Sequence, residues 1–145
     1  MIFLVRRGGF STMAESSVFN GAVSAAILVV EDDGLIREAI AERLRASGFQ
    51  VLEAANAQEA ARIIESGADV DFVFSDVRMP GEMDGFALAR WIRAQRPGLP
   101  VLLTSGDLKR ADAARELCES EFFEKPYDTD RIVAHIRASL TRKEP

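Results

Sequence analysis

The sequence predicts an α/β fold in which a doubly wound, five-stranded parallel sheet carries helices on both faces. From Ala26 onward, short apolar runs alternate with amphipathic stretches. The first run, Ala26 to Val30, is apolar at every position, as in a strand that is buried on both faces. Because each parallel crossover needs a helix, strict strand–helix alternation indicates a parallel sheet. The length of 145 residues suits one such domain.

The predicted elements follow from apolar spacing and from the residues that interrupt it. Strands are predicted at 26–30, 50–54, 71–75, 101–104 and 122–124. Helices are predicted from 36 to the stop at Gly48, and at 57–66, 85–95, 107–118 and 129–140. The domain is therefore expected to occupy residues 26–145, and right-handed crossovers leave few topologies for it.

The composition restricts the chemistry that this chain can use. The net charge is −5 with a pI near 5.0, whereas nucleic-acid-binding domains usually carry a basic patch. One cysteine, Cys118, and one histidine, His135, provide neither an internal disulfide nor a zinc site. No apolar run reaches the ~20 residues of a membrane span. We therefore expect a cytoplasmic protein whose chemistry depends on carboxylates, without nucleic-acid or membrane partners.

Residues 1–25 are predicted to form a flexible N-terminal extension. Arg6 and Arg7 follow the short apolar stretch, whereas a signal peptide has its basic residues before it. Two alternatives remain open, namely a true start at Met13 or an arm that docks on a partner.

Polar and charged side chains follow four of the five predicted strands. In an open parallel sheet, ligands bind beyond the carboxyl ends of the strands. The residues at these ends are Glu31, Asp32 and Asp33, then Asp76, then Thr104 and Ser105, and finally Lys125. Clustered carboxylates repel one another, and a divalent cation removes that cost. Mg²⁺ prefers such oxygen ligands, and an aspartate beside it can act as a nucleophile toward phosphorus.

Four motifs together resemble a response-regulator receiver domain of the chemotaxis-regulator type. They read Val-Val-Glu-Asp-Asp, Asp-Val-Arg-Met-Pro-Gly-Glu-Met-Asp-Gly, Leu-Thr-Ser-Gly and Glu-Lys-Pro-Tyr, and each lies at a predicted strand end. The resemblance runs from about Ile27 to Leu140. It implies the flavodoxin-like strand order 2-1-3-4-5 and a role in two-component signalling.

The resemblance also implies a role for each matching residue. Asp76 matches the phospho-acceptor, and Asp32 and Glu31 match the acidic pair, with Asp32 a direct Mg²⁺ ligand and Glu31 acting largely through water. The other matches are the backbone carbonyl of Arg78 as the third metal ligand, Ser105 as the switch hydroxyl with Thr104 as second choice, Lys125 as the phosphate-binding lysine, Pro126 after a cis peptide, and Phe122 as the aromatic residue that changes rotamer.

Several of these polar and aromatic residues also have simple structural interpretations. Asp33 and Asp84 are expected to cap helices. Thr104 is expected to point into the protein, and Trp91 and His135 are expected to pack or to lie at the surface.

The implied function is a phosphorylation switch with Mg²⁺ as cofactor. A histidine kinase or a phosphotransfer protein would donate the phosphoryl group, and the chain would catalyse only its own phosphorylation and dephosphorylation. Phosphorylation would alter the face of the fourth helix, fifth strand and fifth helix, which would bind a downstream protein or a second copy in a homodimer. With no output domain after Leu140, we expect a stand-alone regulator; a phosphorelay intermediate and an inactive scaffold are the alternatives.

Two other classes of protein fit the sequence less well. An FMN-binding module of the same topology needs a phosphate loop after the first strand, where three acidic residues would repel the phosphate. A phosphohydrolase with an aspartyl nucleophile typically has a second Asp two residues later, and here that residue is Arg78.

Overall fold

The sheet has five parallel strands in the order β2-β1-β3-β4-β5, which confirms the predicted topology. The computed structural model describes residues 24–106 and 121–142. The strands are β1 (Ala26–Val30), β2 (Gln50–Ala54), β3 (Phe72–Asp76), β4 (Val101–Ser105) and β5 (Glu121–Glu124). Residues 1–23 of the predicted extension (residues 1–25) and the predicted helix at 107–118 lie outside the described residues.

Within residues 24–106 and 121–142, four helices pack on the two faces of this sheet. They are α1 (Gly34–Ala46), α2 (Ala57–Glu65), α3 (Gly85–Gln95) and α4 (Thr129–Arg142). Side chains alternate between the faces along each strand, so Leu28 and Val30 pack with α2 and α3 while Ile27 and Val29 pack with α1 and α4. Every residue of β1 and β3 is buried, because these strands lie inside the sheet and are covered on both sides.

Short polar side chains determine where three helices begin. The Asp33 carboxylate accepts from the backbone N–H groups of Leu35 and Ile36, and Asp84 accepts from Ala87 N. Both predictions of helix caps are therefore confirmed. Asn56 does the same for α2 by accepting from Glu59 N at 2.8 Å. These bonds satisfy backbone donors that the first helical turn leaves free.

The last helix is held against the sheet and against α1. His135 is half-buried and lies edge-on to Phe123 with ring centroids 5.3 Å apart, which agrees with the packing interpretation. Arg43 of α1 forms an ion pair with Asp130 of α4, and Arg137 donates to the Ser47 carbonyl at 2.6 Å. Trp91 is half-buried against the α2–α3 core, which agrees with a packing role. No helix in the described ranges 24–106 and 121–142 has the length and apolar character needed to cross a bilayer.

Candidate phosphorylation site

An open cleft of about 730 Å³ lies beyond the carboxyl ends of β1, β3 and β4. Parallel strands all deliver their carboxyl ends to this edge, which is why residues far apart in the sequence meet here. The cleft is lined by Asp32, Asp33, Asp76, Arg78, Met79, Pro80, Ser105, Gly106 and Lys125. Most of the residues predicted from strand ends therefore share one cleft.

Three carboxylates form the acidic centre of the cleft. Glu31, Asp32 and Asp76 each offer an oxygen within 4.8 Å of the others. Asp76 is only 7% exposed and Glu31 4%, whereas Asp32 is exposed to solvent. A buried carboxylate needs a charged or hydrogen-bonding partner, because its desolvation is otherwise costly. A bound cation would therefore stabilise the charged form of this cluster.

Lys125 provides one positive charge at this centre. Its Nζ lies 3.2 Å from Asp76 Oδ2 and 3.8 Å from Glu31 Oε1. The backbone N–H of Lys125 donates to the Ser105 carbonyl at 2.9 Å, so β4 positions the start of the lysine loop. The Lys125–Pro126 peptide bond is cis, as predicted. Acidic residues outnumber the two basic residues of the cleft, Lys125 and Arg78, which leaves excess negative charge there.

The protonation of Glu31 differs from that of an ordinary glutamate. Burial raises the pKa of Glu31 to about 7, with a further upward contribution from the Asp76 charge. The hydrogen bond that Glu31 Oε2 accepts from Asp33 N and the charge of Lys125 act in the opposite direction. The pKa remains well above that of an ordinary glutamate, so near neutral pH a proton competes with any cation for this carboxylate.

The end of β3 is packed tightly against the start of α3. Gly85 N–H donates to the Val77 carbonyl at 2.8 Å, and a Cβ atom at Gly85 would lie 2.3 Å from the Asp76 carbonyl oxygen. Only glycine leaves room for this approach. This requirement has only a weak sequence signal, namely a glycine directly after a helix-capping aspartate.

The end of β4 separates its two hydroxyl residues. Ser105 is only 4% exposed and lines the cleft. Thr104 lies opposite Asp76 in the β3–β4 register, is 1% exposed, and its Oγ1 has no hydrogen-bond partner. Thr104 therefore points into the protein, as predicted. Phe122 of β5 pairs with Leu103 of β4 through the backbone. The side chain of Phe122 is outside the part of the chain that the structure describes.

A profile of the response regulator receiver domain matches residues 27–137 of the chain. The chain belongs to this family. Receiver domains are phospho-acceptors that interact with histidine kinases and phosphotransfer proteins, and the predicted family, fold and signalling class are confirmed.

Curated relatives of this receiver domain are longer proteins. The transcriptional regulatory protein FixJ of Bradyrhizobium diazoefficiens is 35% identical over 82% of this chain and 58% of its own length. The C4-dicarboxylate transport transcriptional regulatory protein DctD of Rhizobium meliloti is 37% identical over 84% of this chain and 26% of its own length. The receiver chain therefore spans about half or less of these relatives.

Solved structures agree with the fold of the receiver domain. The response regulator receiver domain protein from Clostridium thermocellum is 30% identical, with a TM-score of 0.74 over 82% of this chain and 96% of that one. The receiver domain of the hybrid histidine kinase CckA is 35% identical, with a TM-score of 0.67 over 80% and 99% of the two chains.

The acidic centre of the receiver domain fits a magnesium ion. Mg²⁺ holds oxygen ligands at about 2.1 Å, so oxygens on opposite sides of one ion lie about 4.2 Å apart. The carboxylate oxygens of Glu31, Asp32 and Asp76 approach this spacing. The negative charge of these carboxylates also favours a cation. Arg78 is exposed and lines the wall of the cleft.

Two further residues lie close to the acidic centre of the receiver domain. Tyr127 lies edge-on to Phe74 at 5.8 Å, and burial, with added contributions from the charges of Glu31 and Asp76, raises its pKa to about 12. Arg37 of α1 donates to the Glu31 carbonyl. Tyr127 ends the Glu-Lys-Pro-Tyr motif, whereas Arg37 has no sequence signal, because only the fold brings it to the Glu31 carbonyl.

Proposed function

We propose that this receiver domain accepts a phosphoryl group on Asp76 from a phosphohistidine, with Mg²⁺ as cofactor. One observation carries the proposal: the Asp76 carboxylate sits at an open cleft, 3.2 Å from Lys125 Nζ and within 4.8 Å of two further acidic groups. A carboxylate with one fixed cation and a divalent-cation site beside it is equipped to attack phosphorus.

Asp76 supplies the nucleophile for this transfer. One of its carboxylate oxygens forms a bond to phosphorus on the side opposite the leaving group, and the phosphorus–nitrogen bond of the donor breaks. The bonding electron pair returns to the imidazole nitrogen of the donor histidine. The product is an acyl phosphate on Asp76, and its hydrolysis by water gives inorganic phosphate and the free carboxylate, which we propose as the self-catalysed dephosphorylation.

Lys125 and Ser105 are the proposed partners of the transferred group. Lys125 Nζ already contacts Asp76, so an oxygen of the phosphoryl group would lie within its reach. Ser105 lines the same cleft from β4. Asp32, Asp76 and the carbonyl of Arg78 are the proposed metal ligands, and Glu31 would act largely through water. When bound, Mg²⁺ would neutralise charge on the phosphoryl oxygens.

The exposed start of α1 supports a protein as the phosphoryl donor. Leu35 is 80% exposed and Ile36 is 42% exposed, directly after the acidic turn at the cleft. Within the described residues these are the large hydrophobic side chains left open to solvent. A donor that places a phosphohistidine at Asp76 would cover them, which removes apolar surface from water.

The consequence of phosphorylation is proposed to be a change in protein binding. Ser105 would move toward the phosphoryl group and Phe122 would change rotamer, which would alter the face that includes β5 and α4. A downstream protein or a second copy of the chain would bind that face. A phosphorelay step, in which the group passes on to a further histidine, is the second candidate, because the cleft that admits one phosphohistidine can admit another.

The decisive experiment is incubation with Mg²⁺ and a small phosphodonor, followed by intact-protein mass spectrometry. We expect one phosphoryl adduct that is lost in alkali, as an acyl phosphate should be. Asp76→Asn should show no adduct. Asp69→Asn changes an exposed aspartate at the opposite edge of the sheet and is the matched control. An adduct that persists in Asp76→Asn, or a wild-type chain that binds Mg²⁺ and never forms one, contradicts the proposal and favours the inactive scaffold.

A further inference from the structure

The backbone of Glu31 is held on both sides as β1 ends. Its N–H donates to the Ala54 carbonyl at 3.1 Å, which is the last contact with β2. Its own carbonyl lies beyond the end of β2, so the strand ladder offers it no further donor. Arg37 Nη1 takes that place and donates to the Glu31 carbonyl at 2.7 Å.

Arg37 is itself held in place by a second contact. Its Nε lies 3.3 Å from Glu53 Oε1, and the other oxygen of Glu53 accepts from Arg45 Nη2 at 3.2 Å. The Arg37 side chain is 22% exposed, so it is largely packed rather than free in solvent. A planar guanidinium fixed by one carboxylate can present its remaining N–H groups in a defined direction.

The position of Asp32 depends on the peptide group that Arg37 contacts. The Glu31 carbonyl belongs to the peptide that links Glu31 to Asp32, and its orientation determines where the Asp32 side chain leaves the end of the strand. Asp32 itself is exposed, so its backbone has a large part in setting the position of its carboxylate.

We propose that Arg37 is a positioning residue for the Mg²⁺ site, acting through the Glu31 carbonyl to hold Asp32 toward Glu31 and Asp76. This role rests on the proposed function, because it takes the acidic centre to be a Mg²⁺ site. In this role, Arg37 acts on a backbone carbonyl and not on the carboxylate oxygens that would bind Mg²⁺. Its effect should therefore appear in metal affinity, while the chemical step at a filled site stays close to that of the wild type.

The sign of the change in affinity separates positioning from simple electrostatics. A cation near three carboxylates reduces their attraction for Mg²⁺, so if Arg37 acted only through its charge, its removal would tighten binding. If Arg37 positions Asp32, its removal should weaken binding despite the loss of that charge. Removing groups that orient metal ligands typically weakens affinity by about 10-fold to 100-fold.

The test measures Mg²⁺ binding to the full chain directly by isothermal titration calorimetry. Arg37→Ala should raise the Kd by about 10-fold. Arg37→Gln has no charge but retains a donor for the Glu31 carbonyl, and it should recover part of the loss. Glu53→Gln, which loosens Arg37 without removing it, should give a smaller rise in Kd. Arg90→Ala removes an exposed arginine on α3 and should leave the Kd unchanged.

A second measurement separates this inference from the proposed function. The rate of adduct formation with a small phosphodonor is followed as Mg²⁺ is varied, and Arg37→Ala should raise the half-saturating Mg²⁺ concentration while leaving the maximal rate within about two-fold. An unchanged or lower Kd in both Arg37→Ala and Glu53→Gln overturns the positioning role. If the Kd values of the variants follow the expected order but the chain never forms an adduct, the positioning role of Arg37 is upheld. Only the proposed phosphorylation is then contradicted.

Discussion

Replacing Gly85 with alanine tests the packing that places Asp76 at the cleft. An added Cβ would lie 2.3 Å from the Asp76 carbonyl oxygen and 2.7 Å from Val77 Cα. Real Cβ atoms essentially never approach a heavy atom within 3.0 Å, so the Asp76 backbone or the start of α3 must move by at least 0.7 Å. The neighbours are backbone atoms, which cannot rotate away as a side chain could.

The cost should lie at the upper end of that seen for overpacked sites, about 3 kcal/mol of unfolding free energy. With a urea dependence of about 2 kcal/mol per molar, the unfolding midpoint should fall by about 1.5 M. The same displacement should slow phosphorylation, because a 1 Å misplacement of a reacting group can cost about 100-fold in rate.

The assays are urea unfolding followed by circular dichroism, and adduct formation at saturating Mg²⁺ in the absence of urea. Gly98→Ala is the matched control, because nothing lies within 4 Å of its added Cβ and its φ is not in the left-handed region. It should unfold within about 0.5 kcal/mol of the wild type. The reasoning is refuted if Gly85→Ala matches Gly98→Ala in both the urea midpoint and the rate of phosphorylation.

Three further predictions concern the charges and the surface at the cleft. Lys125→Met should slow adduct formation about 100-fold, because it removes the cation that contacts Asp76. Mg²⁺ binding should not weaken, because the carboxylates stay in place. A loss of Mg²⁺ affinity would contradict this prediction. Since the folded pKa of Glu31 is about 7 and its ordinary value is 4.5, the folded chain binds this proton more tightly than the unfolded chain. The free energy of unfolding without Mg²⁺ should therefore fall as pH rises from 4.5 to 7, and Glu31→Gln should flatten that slope in urea titrations. Leu35→Ser should slow phosphoryl transfer from a donor protein at least about 10-fold, because docking would bury this exposed leucine. The rate of phosphorylation by a small phosphodonor should be unchanged. Equal slowing with both donors would instead indicate damage at the cleft.

Elements of the fold could be predicted because their signals are local. The bounds of β1 and β2 match the predicted ranges, and β1 was recognisable because a strand buried on both faces must be apolar throughout. Asp33 and Asp84 cap helices through bonds to residues two or three positions away, a pattern that lies within a short stretch of sequence. β4 and β5 each extend one residue beyond the predicted range, as element ends commonly do.

Membership of the site could also be predicted, since parallel strands bring their carboxyl ends to one edge. Glu31, Asp32, Asp76 and Lys125 were predicted to share a cleft, and in the structure their charged atoms lie within a few ångströms of one another. Their chemical roles stay predictions until phosphorylation is measured. Arg37 was not predicted, because its partners are a backbone carbonyl and a strand residue that only the folded chain places beside it.

The succession of the described strands and helices along the chain, the caps at Asp33 and Asp84 and the set of polar residues at the strand ends could be predicted from the sequence, because each depends on side-chain type and short-range spacing. Tertiary structure alone decided the raised pKa of Glu31, the contact of Lys125 with Asp76 across 49 residues, and the close approach of Gly85 to the Asp76 backbone. These properties depend on distances and burial between distant segments. Electrostatic and steric energies change steeply over an ångström or two, and only the packed sheet sets separations on that scale.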